Sequence, residues 1–372
     1  MPEDNAVATF LADILEYSQV DSHVHRTSDA LEGLSDEDLA YCPVPELAWD
    51  WDDSWHWPSL QTPRRILMHV IFAAEHYRCG LAGESGAEDS SVWIPANLGE
   101  IAHSAEGLTQ ALDAALGRLR EQVASLSDDD LTTVAETAWD GTRMKGFVVI
   151  DGAILHPAWH IGQVAMLIDW RQAQMAGHEP AGPSGPPREQ VYPGERDWDD
   201  LELGSPRDAL LRVARAAASE SPTQAIRQIV TRISEHELEW RPFPEIENPW
   251  FCRAMWTLVL HCWSPKIVYI DHGLGARELD YGGEAHISGC GWGETNPARQ
   301  LRALDRAEQW LVDHVSRASD EDLHRANPMH IERSMKGWEV VACMAQHDAW
   351  HGGQLSVMRD LYSALWETTR SA

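Results

Sequence analysis

Two pairs of histidines stand four residues apart, His156 with His160 and His347 with His351. On a helix this spacing sets both imidazoles on one face about one turn apart, so both can point at one ion. A third histidine precedes each pair at nearly the same interval: His69 lies 87 residues before His156, and His261 lies 86 before His347. A third imidazole from a facing helix completes a three-nitrogen face that leaves a position open to water or substrate. The expected ion is divalent. The chain has 18 histidines, so recurrence is the filter. His76 fails it, because Val268 is its counterpart. His23, His25, His178 and His272 also fail to recur and read as surface residues. The competing explanation is ordinary core or capping histidines copied by duplication.

Gln163 and Gln354 fall seven residues after the first histidine of each pair, back on the same stripe. Each can orient a ligand or contact substrate, or make a packing hydrogen bond. Trp159 and Trp350, one residue before a ligand, either wall a pocket or sit in the core. Gly162 and Gly353 suit close helix approach. Pro157 follows His156 where Asp348 follows His347. A proline inside a helix removes a backbone bond and kinks it, which predicts a different ligand angle in the first copy. Asp348 lies about 100° around the helix from His347 and is not expected at the ion. Of the three lysines, Lys145 and Lys336 hold equivalent positions at the start of this helix, with Lys266 elsewhere. A cation there opposes the helix dipole, so a structural salt bridge is expected.

The elements that must position these residues recur. Ser127-Asp128-Asp129-Asp130-Leu131 returns as Ser319-Asp320-Glu321-Asp322-Leu323, and Met144-Lys145-Gly146 as Met335-Lys336-Gly337. Ser35-Asp36-Glu37-Asp38-Leu39 corresponds to Ser234-Glu235-His236-Glu237-Leu238. The chain is a duplication, with halves at 1–176 and 207–372. The segment 177–206 between them is rich in proline and glycine and reads as an extended linker. The run Asp197-Trp198-Asp199-Asp200 within it reads as solvated. Apolar residues at mixed spacings of three and four predict a first helix over Leu11–Leu34 and over Leu210–Ile233. Pro63 opens the second helix of the first half. A third is expected over Leu108–Leu126 and Leu301–Val315, and a fourth over Gly146–Gln172 and Gly337–Leu365. Ser127 and Ser319 read as N-caps. No run alternates as a strand does, so the expected fold is all-α, two tandem four-helix bundles. A Trp-rich loop, Trp49 to Trp57, joins the first two helices of the first half.

Composition narrows the function. The 372 residues carry 29 Lys+Arg against 59 Asp+Glu, a net charge of −30. That argues against binding nucleic acid or an anionic membrane, since both need clustered Lys/Arg. No apolar run approaches the ~20 residues that cross a bilayer, and the start Met1-Pro2-Glu3-Asp4 lacks a secretory pattern. The chain reads as cytoplasmic, and its six cysteines as reduced. The 18 tryptophans exceed ordinary core use, and either line a pocket or fill a Trp-rich core. No repeated Ser/His/Asp or Cys/His pair, no G-x-G-x-x-G and no P-loop competes with the histidines.

A histidine on the second helix, followed by H-x-x-x-H-x-G-Q on the fourth, resembles the DinB/YfiT-like superfamily of metal-binding four-helix bundles. The matching residues are His69 with His156, His160 and Gln163, and again His261 with His347, His351 and Gln354. The resemblance covers both halves without the linker and the Trp-rich loop. It implies a divalent ion, commonly zinc or nickel with iron or manganese as alternatives, held by three histidines. It also implies a small-molecule substrate and a low-molecular-weight thiol as cosubstrate. Characterised relatives include thiol S-transferases and mycothiol-dependent maleylpyruvate isomerases. In those isomerases a glutamate stands where this chain has His156 or His347. Relatives often pair as homodimers, so the tandem is expected to be a covalent pseudo-dimer, monomeric in solution. The expectation is a metal-dependent transferase, against a non-catalytic metal- or small-ligand-binding protein or a mycothiol-dependent isomerase. Histidines must be neutral to ligate, so activity is expected to fall below about pH 6.

Overall fold

The computed structural model describes residues 6–22, 31–44, 61–83, 104–136, 143–188, 203–221, 224–246, 254–279, 296–329 and 333–371. His23, His25, the Trp-rich loop and the run at 197–200 lie outside them. The first half runs α1 (Ala6–Glu16), a π-helical segment (Tyr17–Asp21), α2 (Asp36–Ala40), α3 (Pro63–Leu81), α4 (Ala105–Ala124), α5 (Asp128–Thr132), β1 (Val134–Glu136), β2 (Arg143–Lys145) and α6 (Gly146–Met175). The second half continues with α7 (Pro206–Arg215), a π-helical segment (Ala216–Glu220), α8 (Ile226–Val230), α9 (Glu235–Glu239) and α10 (Met255–Leu274). It ends with α11 (Pro297–Arg317), α12 (Asp320–His324), β3 (Ala326–Pro328), β4 (Ser334–Lys336) and α13 (Gly337–Ser371). The described residues are mostly helical, as the periodicity predicts. Among them no helix is long and apolar enough to cross a membrane.

Four serines restart the chain after its turns. Ser35, Ser127, Ser234 and Ser319 each accept a hydrogen bond from the backbone N–H three residues on, and the acidic side chain there accepts from the serine N–H. This capping box satisfies two otherwise orphaned donors and starts a one-turn helix. The expected caps at Ser127 and Ser319 are thus present, and the matching segments at Ser35 and Ser234 use the same device.

The first helices depart from the expectation of one long helix over Leu11–Leu34 and Leu210–Ile233. Each loosens into a π-helical turn that ends at an equivalent serine. The Ser22 N–H bonds to the Tyr17 carbonyl at 2.7 Å, and the Ser221 N–H to the Ala216 carbonyl at 3.0 Å. In the second half Pro222 follows, and the residue before a proline is driven out of helical geometry. The apolar spacing continues past this break because α8 buries its own Ile226, Ile229 and Val230. Two short antiparallel hairpins, β1–β2 and β3–β4, are also additions. Three residues per strand are too few to show an alternating pattern. They account for the repeated Met-Lys-Gly: a Cβ on Gly146 would meet the Asp130 carbonyl at 2.8 Å, and one on Gly337 the Asp322 carbonyl at 2.9 Å.

The fourth helices form the centre of the molecule. α6 packs against α3, which also packs against α4, and α13 packs against α10, which also packs against α11. α6 and α13 then pack on each other. They cross where a Cβ on Gly162 would collide with the Trp350 carbonyl, and one on Gly353 with the Trp159 carbonyl. Each first helix also reaches the fourth helix of the other half. The Arg212 Nε–H on α7 donates to Asp151 on α6 at 2.6 Å, and the Gln346 amide on α13 donates to the Ser18 carbonyl at 2.6 Å. Segment 178–188 has no helix or strand and is docked. The Tyr362 hydroxyl donates to the Gly185 carbonyl at 2.7 Å, and the Trp240 indole N–H to the Ala181 carbonyl at 2.9 Å.

Candidate metal centre

His69 sits in the second turn of α3, a helix opened by Pro63 and capped by the Thr62 side chain. It faces His156 and His160 on α6. His261, on α10, faces His347 and His351 on α13 in the same way. Ring nitrogens come close together: Nε2 of His156 lies 3.0 Å from Nε2 of His69, and Nε2 of His347 lies 3.1 Å from Nε2 of His261. In each triad one nitrogen per residue can be chosen so that all three lie within 4.8 Å of one another. Two nitrogens that share a cation at about 2.0–2.1 Å stand at most about 4.2 Å apart, so the 3.0 and 3.1 Å gaps suit a shared ion and any pair near the 4.8 Å bound closes on binding it. Among the described residues, neither group includes a carboxylate or a thiol. The two groups of three histidines can each hold a metal ion.

The glutamines decide which nitrogen is offered. The Nδ1–H of His160 donates to Oε1 of Gln163 at 2.6 Å, and the Nδ1–H of His351 to Oε1 of Gln354 at 2.6 Å. An imidazole that donates from Nδ1 carries a lone pair on Nε2, the form a metal ligand needs. Burial supplies the matching charge state. It pulls His160 down to about 4, against the opposing effect of the Gln163 hydrogen bond. It also pulls His69 and His156 well below the ordinary histidine value, with the charge of neighbouring imidazoles adding to it. The first triad is therefore held neutral below the pH 6 expected from a free imidazole.

Pro157 does not change the site. α6 runs through it without a break. The ring centroids are 4.9, 4.8 and 4.4 Å apart in the first triad and 4.8, 4.9 and 4.4 Å in the second. The expected difference in ligand angle is absent. The exposed side does differ: His156 is the partly exposed member of the first triad and His261 of the second. Asp348 is not among the clustered ligand atoms of the second triad, as its helical angle predicts, and pairs with Lys266. The Lys336 ammonium lies 3.8 Å from a Glu339 carboxylate oxygen, a salt bridge as expected; the Lys145 side chain lies outside the described set.

Trp159 and Trp350 are both buried. A Cβ on Gly352 would meet the Trp159 ring at 2.6 Å, so this indole packs in the seam between α6 and α13. His76 is buried and held near pKa 4 by that burial. His178 and His272 are partly buried rather than fully exposed; they bond Glu245 and the Leu279 carbonyl. Two contacts at the site were not foreseen. Tyr77 stands edge-on to His156 with centroids 6.0 Å apart, and the Gln224 amide meets its Nδ1. Tyr77 had a readable signal, since Tyr269 recurs at the same interval of eight residues after the α10 histidine. No family model, curated protein or solved structure matches the chain.

Proposed function

We propose that the chain is a tandem of two DinB/YfiT-like four-helix bundles working as a divalent-metal-dependent enzyme, a thiol S-transferase with an open three-histidine site in each half. Zinc or nickel is the proposed ion. The observation that carries this reading is the convergence of three imidazoles in each half, with one histidine per triad held by a glutamine at Nδ1 so that its Nε2 is left to ligate. Three neutral donors leave the charge of a divalent cation uncompensated, which favours an anionic group in the remaining position. A cation bound there lowers the pKa of a thiol or water that takes that position, making a nucleophile at neutral pH.

The chain's own residues do the rest. His69, His156 and His160 hold the ion in one half, and His261, His347 and His351 in the other. Gln163 and Gln354 keep one imidazole of each set in the ligating tautomer. Burial keeps protons from competing for the first set. Joining the two bundles in one chain replaces the pairing of separate copies, so the protein is expected to run as a monomer.

Elemental analysis of protein purified without a histidine tag should find two divalent ions per chain. His160→Ala and His351→Ala should each remove one. The loaded protein should turn over an electrophile with a small thiol as cosubstrate, and the double variant should lose that activity. Metal at full stoichiometry without turnover would instead make the protein a metal binder. Absence of metal from protein that takes up none on titration defeats the reading.

A further inference from the structure

The first triad is touched from the other half of the chain. Gln224 lies between the π-helical segment Ala216–Glu220 and α8, with its backbone N–H bonded to the Ser221 hydroxyl at 3.2 Å. α8 is seated within the second half, against α13, α11 and α10. From this base the Gln224 side-chain amide crosses to α6 and ends 2.8 Å from Nδ1 of His156. The second half thus sets the position of the amide, while the atom it meets belongs to the first.

We infer that Gln224 is a positioning residue of the first metal site, which makes that site a product of both halves. The inference rests on the reading of the triad as a metal centre. An imidazole ligating through Nε2 keeps its proton on Nδ1, and that proton needs an acceptor. His160 finds one three residues on, in Gln163 of its own helix. His156 has no glutamine at that spacing, because the residue three on is Trp159 and the residue four on is His160 itself. The group that the structure places against its Nδ1 is Gln224, from outside α6. The amide meets the ring through Nε2. Turning it over brings Oε1 to the same place, since its two ends have nearly the same shape. That orientation accepts the Nδ1 proton and raises the basicity of the ligating nitrogen. The register of the repeat places His25 opposite Gln224. The second site therefore does not copy this contact with a glutamine, and the inference concerns the first site alone.

The test uses the full chain with the second triad disabled by His261→Ala and His351→Ala, so that only the first reports. Cobalt(II) is titrated in competition with a chromogenic chelator at pH 7.5. In this background Gln224→Ala and Gln224→Leu should each weaken cobalt binding about 10- to 100-fold. Gln224→Glu, which keeps an acceptor oxygen at the same reach, should restore it to within a few-fold. The visible cobalt band should shift in the alanine and leucine variants even at saturation, a change that lost packing alone would not produce. In the mirror background, with His69→Ala and His160→Ala, Gln224→Ala should leave cobalt binding unchanged. Wild-type affinity and spectrum in both the alanine and leucine variants would overturn the inference while leaving the metal reading intact. A chain with both triads present that takes up no cobalt, zinc or nickel would overturn the reading, and the inference with it.

Discussion

Lys266 and Asp348 are buried beside the second triad, with side chains 2% and 1% exposed, and they pair with each other. At the corresponding places in the first half the repeat has Ala74 and Pro157. Burial pushes the Asp348 carboxyl up to about 6, against the pull of the Lys266 ammonium. Such a pair is costly to form and costlier to break, because removing one partner leaves a charge without compensation. Lys266→Met alone should therefore lower stability by about 3 kcal/mol. Lys266→Met with Asp348→Leu should return to within about 1 kcal/mol of wild type, as apolar replacements of buried pairs commonly do. Urea unfolding of the three proteins measures this; a single variant no worse than the double would mean that no charge is buried there. The sequence makes Asp348 visible as a departure from its repeat, and Lys266 as one of only three lysines. Their pairing was not legible, because nothing in the spacing says that α10 and α13 turn these two faces together.

The fourth helices were the most legible elements, since long apolar stretches with recurring motifs admit few other readings. The glycines in them acquire meaning only from the crossing. In an exposed helix, Gly→Ala gains up to about 1 kcal/mol from helix propensity. Gly117 on α4 is such a site, with no atom within 4 Å of a built Cβ, and Gly117→Ala should stabilise the chain by about that amount. Gly162→Ala should do the opposite, by about 3 kcal/mol, because the methyl group runs into the Trp350 backbone rather than a side chain that could move. Thermal melts of the two variants compare the signs directly, and a stabilising Gly162→Ala would mean that the helices do not meet there. The elements missed in the sequence share a physical cause. The π-helical turns at Tyr17–Asp21 and Ala216–Glu220 keep the apolar periodicity of the helix they interrupt, and the hairpins are shorter than one period of reliable alternation.

Contacts between the halves were the least legible, because a residue's own half gives no hint of a partner some sixty positions away. Gln224 on His156 is one such contact and Arg212 on Asp151 another. The latter gives the whole molecule a pH signature. Burial pushes the Asp151 carboxyl up to about 6; Arg212 pulls it back, and Glu220, also bonded to Arg212 at 3.1 Å, works against that pull. In the unfolded chain the same carboxyl titrates near 3.9. Between those values the folded state keeps the proton and the unfolded state has lost it. This group's contribution therefore makes stability fall as pH rises from about 4 to about 6, and levels off above. Arg212→Met removes the charge that restrains Asp151, so its pKa climbs further and the falling limb extends upward in pH. The variant should then lose about 3 kcal/mol at pH 8, where a lone buried carboxylate must ionise or hold its proton against solution, and roughly half that at pH 5. Adding Asp151→Asn should remove the difference between the two pH values. Urea unfolding at pH 5 and pH 8 reads it out. An equal loss at both would mean that Arg212 holds the halves together by packing its aliphatic stem, with the ion pair contributing nothing.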